Sequence, residues 1–142
     1  MIDTERKNVV LLVEDSPDHA FLIKRAISAV IQELNILWAK DGAEAIELIL
    51  KRGLRPDLIL LDIKMPRMNG FEVLEILKNN KETAHIPIVI LSTSANEKDV
   101  SRAYLLGTNC YITKPVEIAD FQLKLRSIPV YWLRINIAPP IF

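Results

Sequence analysis

Several features that commonly reveal a protein's function are scarce or absent in this sequence. The 142 residues include a single cysteine, which excludes an internal disulfide and suits a reducing compartment. The 18 basic and 18 acidic residues balance, so there is no electrostatic reason to expect nucleic acid or an anionic membrane as a partner. The chain has no apolar run of membrane-spanning length and no signal-peptide core behind its polar start. We therefore expect a cytosolic protein that binds neither nucleic acid nor membrane.

The rare reactive side chains also give little direct indication of chemistry. Neither histidine, His19 nor His85, has a partner at metal-ligand spacing, so we expect surface or capping roles for both, outside any active constellation. Cys110 has no basic residue and no second cysteine close to it in sequence, which favours a small apolar residue over a reactive thiol.

One stretch organises what the sequence does contain. The four apolar residues Leu58 to Leu61 run directly into Asp62, and an unbroken run of this kind suits a strand covered on both faces of a parallel sheet. Pro66 and the pair Asn69-Gly70 then indicate a turn. Asp62 is thus expected at the carboxyl end of a central strand, the edge where ligands bind in open α/β sheets. There it could be a metal ligand, a nucleophile or a helix cap.

Apolar runs and helical periodicity alternate along the rest of the chain. The predicted strands cover residues 9–13, 36–39, 58–61, 86–91 and 110–113. The predicted helices start at 17 (to about 33), 42 (to Gly53), 69, 94 (to about 106) and 116 (to about 128). Five alternations of strand and helix imply right-handed crossovers and one parallel sheet with helices on both faces, an α/β domain.

Capping residues support several of these helix starts. Ser16 followed by Pro17 suits the start of the first helix, and Asn69 can cap the third. Asp41 to Glu44 and Ser94 to Glu97 both have capping-box spacing. Pro129 lacks the N–H that an interior helical residue donates, so we expect it to kink or end the last helix.

Polar residues follow four of the five predicted strands. In a parallel sheet these strand ends share one edge, so the side chains should meet there. They are Glu14, Asp15, Asp62, Ser92, Thr93 and Lys114. Crowded carboxylates need a cation, and hard oxygen ligands favour Mg²⁺. A magnesium ion, a nucleophilic aspartate, a hydroxyl and a lysine together suit an acyl phosphate formed on Asp62.

Each of these residues also has an ordinary structural explanation. Asp15 could cap a helix, Ser92 and Thr93 could be turn hydroxyls, and Lys114 could be a solvated cation. Their joint occurrence at one predicted sheet edge favours the functional interpretation.

The chain resembles the receiver domains of two-component response regulators. The matching segments are Val13 to Ser16, Leu61 to Gly70, Ile90 to Ser92 and Tyr111 to Pro115. They are spread over nearly the whole chain. The resemblance implies a flavodoxin-like fold with strand order 2-1-3-4-5 and phosphoryl transfer from a separate sensor histidine kinase.

The resemblance also implies roles for particular residues. Asp62 would be the phosphoacceptor and also a Mg²⁺ ligand. The other ligands would be Asp15 directly, Glu14 through water and the backbone carbonyl of Lys64. The switch hydroxyl would be Ser92 rather than Thr93, with Tyr111 as the switch aromatic and Lys114 as the phosphoryl-binding lysine. The Lys114-Pro115 peptide bond would be cis.

The carboxyl-terminal segment resembles the small regulators that partner phytochromes. The matching residues are Asn109 to Lys114, Tyr131 to Leu133 and Pro139-Pro140. We expect an amino-terminal tail (residues 1–7), a receiver domain (8–128) and an extension (129–142), with no room for an output domain. The many apolar residues after position 118 predict a homodimer through helix four, strand five, helix five and the extension. The alternative is that Tyr131 and Trp132 fold back onto their own helix.

Two other functions compete with phosphotransfer signalling. An aspartate-nucleophile phosphatase of the haloacid-dehalogenase type would carry a second aspartate two residues after the nucleophile, and Lys64 stands there instead. A phosphorylation-independent interaction domain would retain the fold without needing the acids, Ser92 and Lys114. We therefore do not expect an enzyme. Hydrolysis of phosphate esters would favour the first rival, and failure to label with a small phosphodonor and Mg²⁺ would favour the second.

Overall fold

The computed structural model describes residues 7–140, in which five strands alternate with helices as the sequence predicts. The strands are β1 (Asn8–Val13), β2 (Leu34–Ala39), β3 (Leu58–Leu61), β4 (Ile88–Ser92) and β5 (Cys110–Thr113). The helices are α1 (Pro17–Ser28), α2 (Gly42–Ile46), α3 (Gly70–Lys78), α4 (Glu97–Leu105) and α5 (Gln122–Val130). Wider π-type turns extend α2 over Glu47–Lys51 and α5 over Tyr131–Ile135, and a 3₁₀ turn, Ile118–Phe121, precedes α5.

All four strand pairs of the sheet are parallel, and the strand order is β2-β1-β3-β4-β5. This confirms the doubly wound architecture. In the register, Val13 at the end of β1 lies opposite Ala39 of β2 and Leu61 of β3. The central strands therefore end level with one another, and the residues that follow them share one edge.

Apolar layers cover both faces of the sheet. On one face the sheet packs against α2, α3 and α4, and on the other against α1 and α5. The side chains of β1 and β3 alternate between the two layers, and every residue of β3 is buried. Burial on both faces explains why β3 reads as a continuous apolar run rather than an alternating pattern.

The first helix is shorter than predicted. It ends at Ser28 rather than near Glu33, and Val30, within the predicted range, is exposed. The reason is the pairing of β2, which begins at Leu34 opposite Asn8. A helix running to Glu33 would leave no residues for the turn into that strand.

Three of the predicted caps are present and one is wrong. Ser16 and Asn69 cap α1 and α3, and Asn69 forms a full capping box with Glu72. Asp41 caps α2 through the Glu44 N–H. Helix α4 is capped by Asn96, not Ser94, whose hydroxyl instead donates to Asp99 Oδ2 at 2.6 Å.

Two expectations near the carboxyl terminus are corrected by the structure. The described residues contain no cis peptide bond, so the prediction of a cis Lys114-Pro115 bond is wrong. Pro129 does not end the last helix, because helical residues continue to Ile135 in π-type geometry, with the Asn136 N–H donating to the Tyr131 carbonyl at 2.6 Å. The other alternative, a kink at Pro129, stays a prediction. The apolar residues Ile141 and Phe142 lie outside the described residues.

Across residues 7–140, no helix has both the length and the apolar character needed to cross a membrane.

Candidate functional site

The carboxyl edge of the sheet brings together the side chains that follow β1, β3 and β5. Backbone hydrogen bonds extend the strand pairing one residue beyond the strands, with Asp62 N donating to Val13 O at 3.0 Å and Lys114 N donating to Ser92 O at 2.7 Å. These bonds fix the backbone at both residues. The side chains of Asp62 and Lys114 therefore start from the same edge as those of Glu14 and Asp15.

Three carboxylates form a cluster at this edge. Carboxylate oxygens of Glu14, Asp15 and Asp62 all lie within 4.8 Å of one another. Glu14 is buried, Asp62 is half-buried and Asp15 is exposed. The cluster therefore runs from the protein interior to solvent, and its outer members are accessible to a cation or a phosphodonor.

Lys114 is the cation inside this cluster. Its Nζ lies 2.5 Å from Glu14 Oε1 and 3.9 Å from Asp62 Oδ2, and its side chain is almost completely buried. Lysine is rarely buried unless it is paired. The ion pair with Glu14 meets this requirement, and the ammonium lies closer to Glu14 than to Asp62.

The pKa values of the two buried acids move in opposite directions. Burial raises the pKa of Asp62 to about 7, and the neighbouring charge of Glu14 acts in the same direction. Burial also works to raise the pKa of Glu14, but the charge and hydrogen bond of Lys114 outweigh it, and the pKa of Glu14 is lowered. In the absence of a bound cation, Asp62 is thus the acid that binds a proton near neutral pH.

His19 lies in this cluster, although the sequence analysis placed it outside. Its Nδ1 is 3.1 Å from Lys114 Nζ and 3.8 Å from Glu14 Oε1. The sequence signal that could have indicated this position is the helix start at Ser16-Pro17. A residue in the first turn of the helix that follows β1 lies at the carboxyl edge of the sheet. His85, by contrast, precedes β4 and stays away from this edge.

Trp38 is a second site residue that the sequence reasoning missed. It lies in β2, and its indole N–H donates to the backbone carbonyl of Glu14 at 2.7 Å. The Glu14 N–H in turn donates to Ala39 O at 3.1 Å. Both bonds hold the backbone of the Glu14-Asp15 pair against β2. No local motif marks a tryptophan for this role, because the contact spans two strands.

Ser92 and Tyr111 are linked through the loop that joins β4 to α4. The Ser94 N–H donates to Ser92 Oγ at 3.1 Å, and the Tyr111 hydroxyl donates to the Ser94 carbonyl at 2.8 Å. Ser92 is buried, whereas the neighbouring Thr93 is exposed. The backbone of Ser94 thus connects the two residues expected to form the switch.

The loop from β3 to α3 is held in place on the far side of Asp62. Arg67 has a left-handed backbone (φ 65°) and makes two hydrogen bonds with Asp41, at 2.8 and 2.9 Å. Gly70 packs so closely on this loop that a Cβ would lie 2.3 Å from the Asp62 carbonyl oxygen. These contacts fix the path of the loop that contains the exposed Lys64.

The chain is similar along most of its length to known regulators. Response regulator Rcp1 of Synechocystis sp. is 35% identical over 92% of this chain and 92% of its own length. The probable methanogenesis regulatory protein FilR2 of Methanothrix harundinacea is 35% identical over 98% of this chain and 92% of its own length.

Solved structures show the same likeness. The phosphorylated cyanobacterial phytochrome response regulator RcpA superposes with a TM-score of 0.89 at 34% identity, over 95% of this chain and 100% of RcpA. The Mn²⁺-bound form of Rcp1 superposes with a TM-score of 0.86 at 34% identity, over 94% of this chain and 99% of Rcp1. The family model for the response regulator receiver domain matches residues 10–126. The chain therefore belongs to the response regulator receiver domain family.

Proposed function

We propose that this receiver accepts a phosphoryl group on Asp62 from a phosphohistidine of a sensor histidine kinase, and that its binding surface changes in response. The observation that carries the proposal is the cluster at the sheet edge, where Asp62 lies beside two further acids and 3.9 Å from the Lys114 ammonium. An Asp62 oxygen attacks phosphorus, the P–N bond to the donor imidazole breaks, and the imidazole leaves. A phosphoaspartate results without net oxidation or reduction.

The donor set fits Mg²⁺. The carboxylates of Asp15 and Asp62, with the backbone carbonyl of Lys64, are hard oxygen ligands of the kind this ion prefers, and Glu14 would act through water. Glu14 already pairs with Lys114, which supports an indirect role for it. A bound Mg²⁺ would neutralise phosphoryl oxygens and favour the ionised form of Asp62.

The protein's own residues supply the remaining parts of the reaction. Lys114 can donate a charge-assisted hydrogen bond to a phosphoryl oxygen, and the Ser92 hydroxyl can donate to another. A new hydrogen bond to Ser92 would pull on the β4–α4 loop. The backbone of this loop joins Ser92 to Tyr111 through Ser94. We propose that this link carries the change to α4, β5 and α5.

The proposal names a general class of partner and, within it, a particular sensor. A histidine kinase is the general partner of a receiver, and the likeness to RcpA and Rcp1 supports a phytochrome as the sensor. The cytosolic location expected from the sequence suits such a kinase. The chain itself is proposed not to be an enzyme, because Lys64 stands where an aspartate-based phosphatase would need its second acid.

A homodimer through α4, β5, α5 and the extension (residues 129–142) is also proposed. The support is a set of exposed apolar side chains on these elements. They are Tyr104, Leu105, Leu123, Val130, Tyr131, Ile135 and Ile137. Within the extension, Trp132 and Leu133 pack on the protein's own core, as the alternative interpretation expected for Trp132, whereas Tyr131 stays about half exposed.

Acetyl phosphate with Mg²⁺ tests the central proposal. Intact-mass analysis should show one added phosphoryl group on the wild type and none on Asp62→Asn. Asp18→Asn, which removes an exposed acid in the first turn of α1, is the matched control and should label like the wild type. Labelling of Asp62→Asn to the same extent would contradict the assignment. A wild type that hydrolysed phosphate esters with multiple turnover would support the phosphatase instead.

A further inference from the structure

Among residues 7–140, the Lys114 ammonium is within hydrogen-bonding distance of one acid, Glu14, and one histidine, His19. Besides Glu14 Oε1, Nζ lies 3.1 Å from His19 Nδ1. An ammonium group can only donate hydrogen bonds, so Nδ1 must be the acceptor and the imidazole must carry its proton on Nε2. His19 therefore contributes a hydrogen-bond acceptor to the buried lysine.

The position of this acceptor is fixed by the start of α1. Pro17 is the first helical residue, and the His19 N–H donates to the Oγ of the capping Ser16 at 3.3 Å. The imidazole side chain is 32% exposed, so it lies between the buried ammonium and solvent. A change at His19 would thus alter the surroundings of Lys114 without opening the hydrophobic core.

Two of the three donors of Lys114 are assigned by these contacts. Once one N–H points to Glu14 and a second to His19, the direction of the third is determined by the geometry of the ammonium. The remaining partner near Nζ is Asp62, whose Oδ2 lies 3.9 Å away. A phosphoryl group on Asp62 would place further oxygens around this carboxylate, within reach of the third donor.

We infer that His19 is a positioning residue for phosphoryl transfer: by accepting a hydrogen bond from Lys114, it orients the free donor of the ammonium toward the phosphoryl group on Asp62. Donors already oriented toward developing charge need no reorganisation during the reaction, which is the physical basis of the effect. This inference rests on the proposed function of Asp62 and adds a residue that the receiver motifs do not contain.

The rate of labelling by acetyl phosphate at saturating Mg²⁺ tests the role. His19→Ala should slow labelling roughly tenfold, the order of effect expected for one hydrogen bond made by a charged group. His19→Asn, whose Oδ1 can accept in place of Nδ1, should recover most of the rate. His85→Ala removes the other histidine, away from the sheet edge, and should leave the rate unchanged.

A double-mutant cycle separates positioning from a general structural effect. On a Lys114→Ala background, His19→Ala should have no further effect, because the group it orients is gone. An equal loss on both backgrounds, or equal rates for His19→Ala and the wild type, would overturn the inference.

The ¹⁵N NMR signal of the Lys114 ammonium tests the contact without any phosphoryl transfer. It should be observable in the wild type and in His19→Asn, where the hydrogen-bonded ammonium exchanges slowly, and broadened in His19→Ala. An unchanged signal in His19→Ala would contradict the inference whether or not the protein is phosphorylated. Failure of the wild type to label would contradict the proposed function separately.

Discussion

Asp62 occupies an environment that disfavours its negative charge when no cation is bound. Its pKa of about 7 in the folded protein lies above the ordinary value of 3.8. Between these two pH values the unfolded chain has released the proton that the folded chain retains. The free energy of unfolding therefore falls as pH rises through this window, and the stabilising contribution is lost above pH 7.

Asp62→Asn should remove the loss of stability that ionisation of the buried Asp62 carboxyl causes. In EDTA, we expect the variant to be more stable than the wild type by about 1–3 kcal/mol at pH 8, and the difference should shrink toward zero near pH 4.5. Urea unfolding at the two pH values measures it. Asp18→Asn, which removes an exposed acid of the first turn of α1, is the matched control. A difference between Asp62→Asn and the wild type that does not change with pH would rule out this electrostatic explanation.

Asp15 is the most exposed acid of the cluster, so its loss should affect metal binding more than folding. Asp15→Ala should weaken Mg²⁺ binding by at least about tenfold, since losing even an outer partner of a metal ligand commonly costs that much. Trp38 fluorescence can report the titration, because its indole bonds to the Glu14 carbonyl. Asp18→Ala should bind Mg²⁺ like the wild type, and equal affinity in Asp15→Ala would remove Asp15 from the proposed site.

Some site residues could be predicted from the sequence and others could not. The two groups differ in how the fold brings them to the site. Glu14, Asp62 and Lys114 directly follow strands, so a parallel sheet brings them to one edge from pattern alone. His19 and Trp38 reach the same edge through the first turn of a helix and across two strands. Neither path leaves a local motif, and an isolated histidine or tryptophan is usually structural.

At the scale of elements, the β4–α4 loop connects the site to the proposed output surface. Ser92→Ala should still be labelled on Asp62, but the response of α4 and β5 should be lost. The reason is the missing hydrogen bond to the phosphoryl group, about 1.5–3 kcal/mol for a charged partner, which is enough to shift a nearly balanced equilibrium. Hydrogen exchange of residues 94–113 with and without acetyl phosphate would measure the response.

Thr93→Ala is the matched control for Ser92→Ala, because it removes the exposed neighbouring hydroxyl. It should keep both labelling and response. A Ser92→Ala protein whose exchange pattern still changes on phosphorylation would show that the coupling runs through other contacts.

Element type was more predictable than element boundaries. Buried strands and capped helices follow from apolar runs and capping residues, and β5 begins and ends where predicted. The end of α1 was missed because the start of β2 depends on pairing with β1, a tertiary constraint. The cap of α4 was misassigned because Ser94 has partners on both sides, Asp99 and Tyr111, which capping spacing alone does not reveal.

At the scale of the whole molecule, part of the carboxyl-terminal extension packs against the core of its own subunit. Trp132 packs on the core layer formed by α1 and α5, and Arg134 Nη1 donates to Asn8 Oδ1 at 2.8 Å. Deleting residues 129–142 would therefore remove contacts within one subunit, including the buried Pro129, as well as the proposed interface. Substitution of exposed residues is the cleaner way to test the dimer.

Leu105 and Ile135 are suited to that test, being 87% and 64% exposed at the end of α4 and after α5. We expect the wild type to sediment as a dimer at micromolar concentration. Leu105→Asp and Ile135→Asp should each raise the dissociation constant at least about tenfold, because a charge would be buried in an apolar contact. Phe21→Asp changes an exposed aromatic residue on α1, outside the proposed interface, and should leave the dimer intact. Thermal unfolding should confirm that all three variants are folded. A wild type that stays monomeric with and without acetyl phosphate would show that these side chains do not join two copies of the chain.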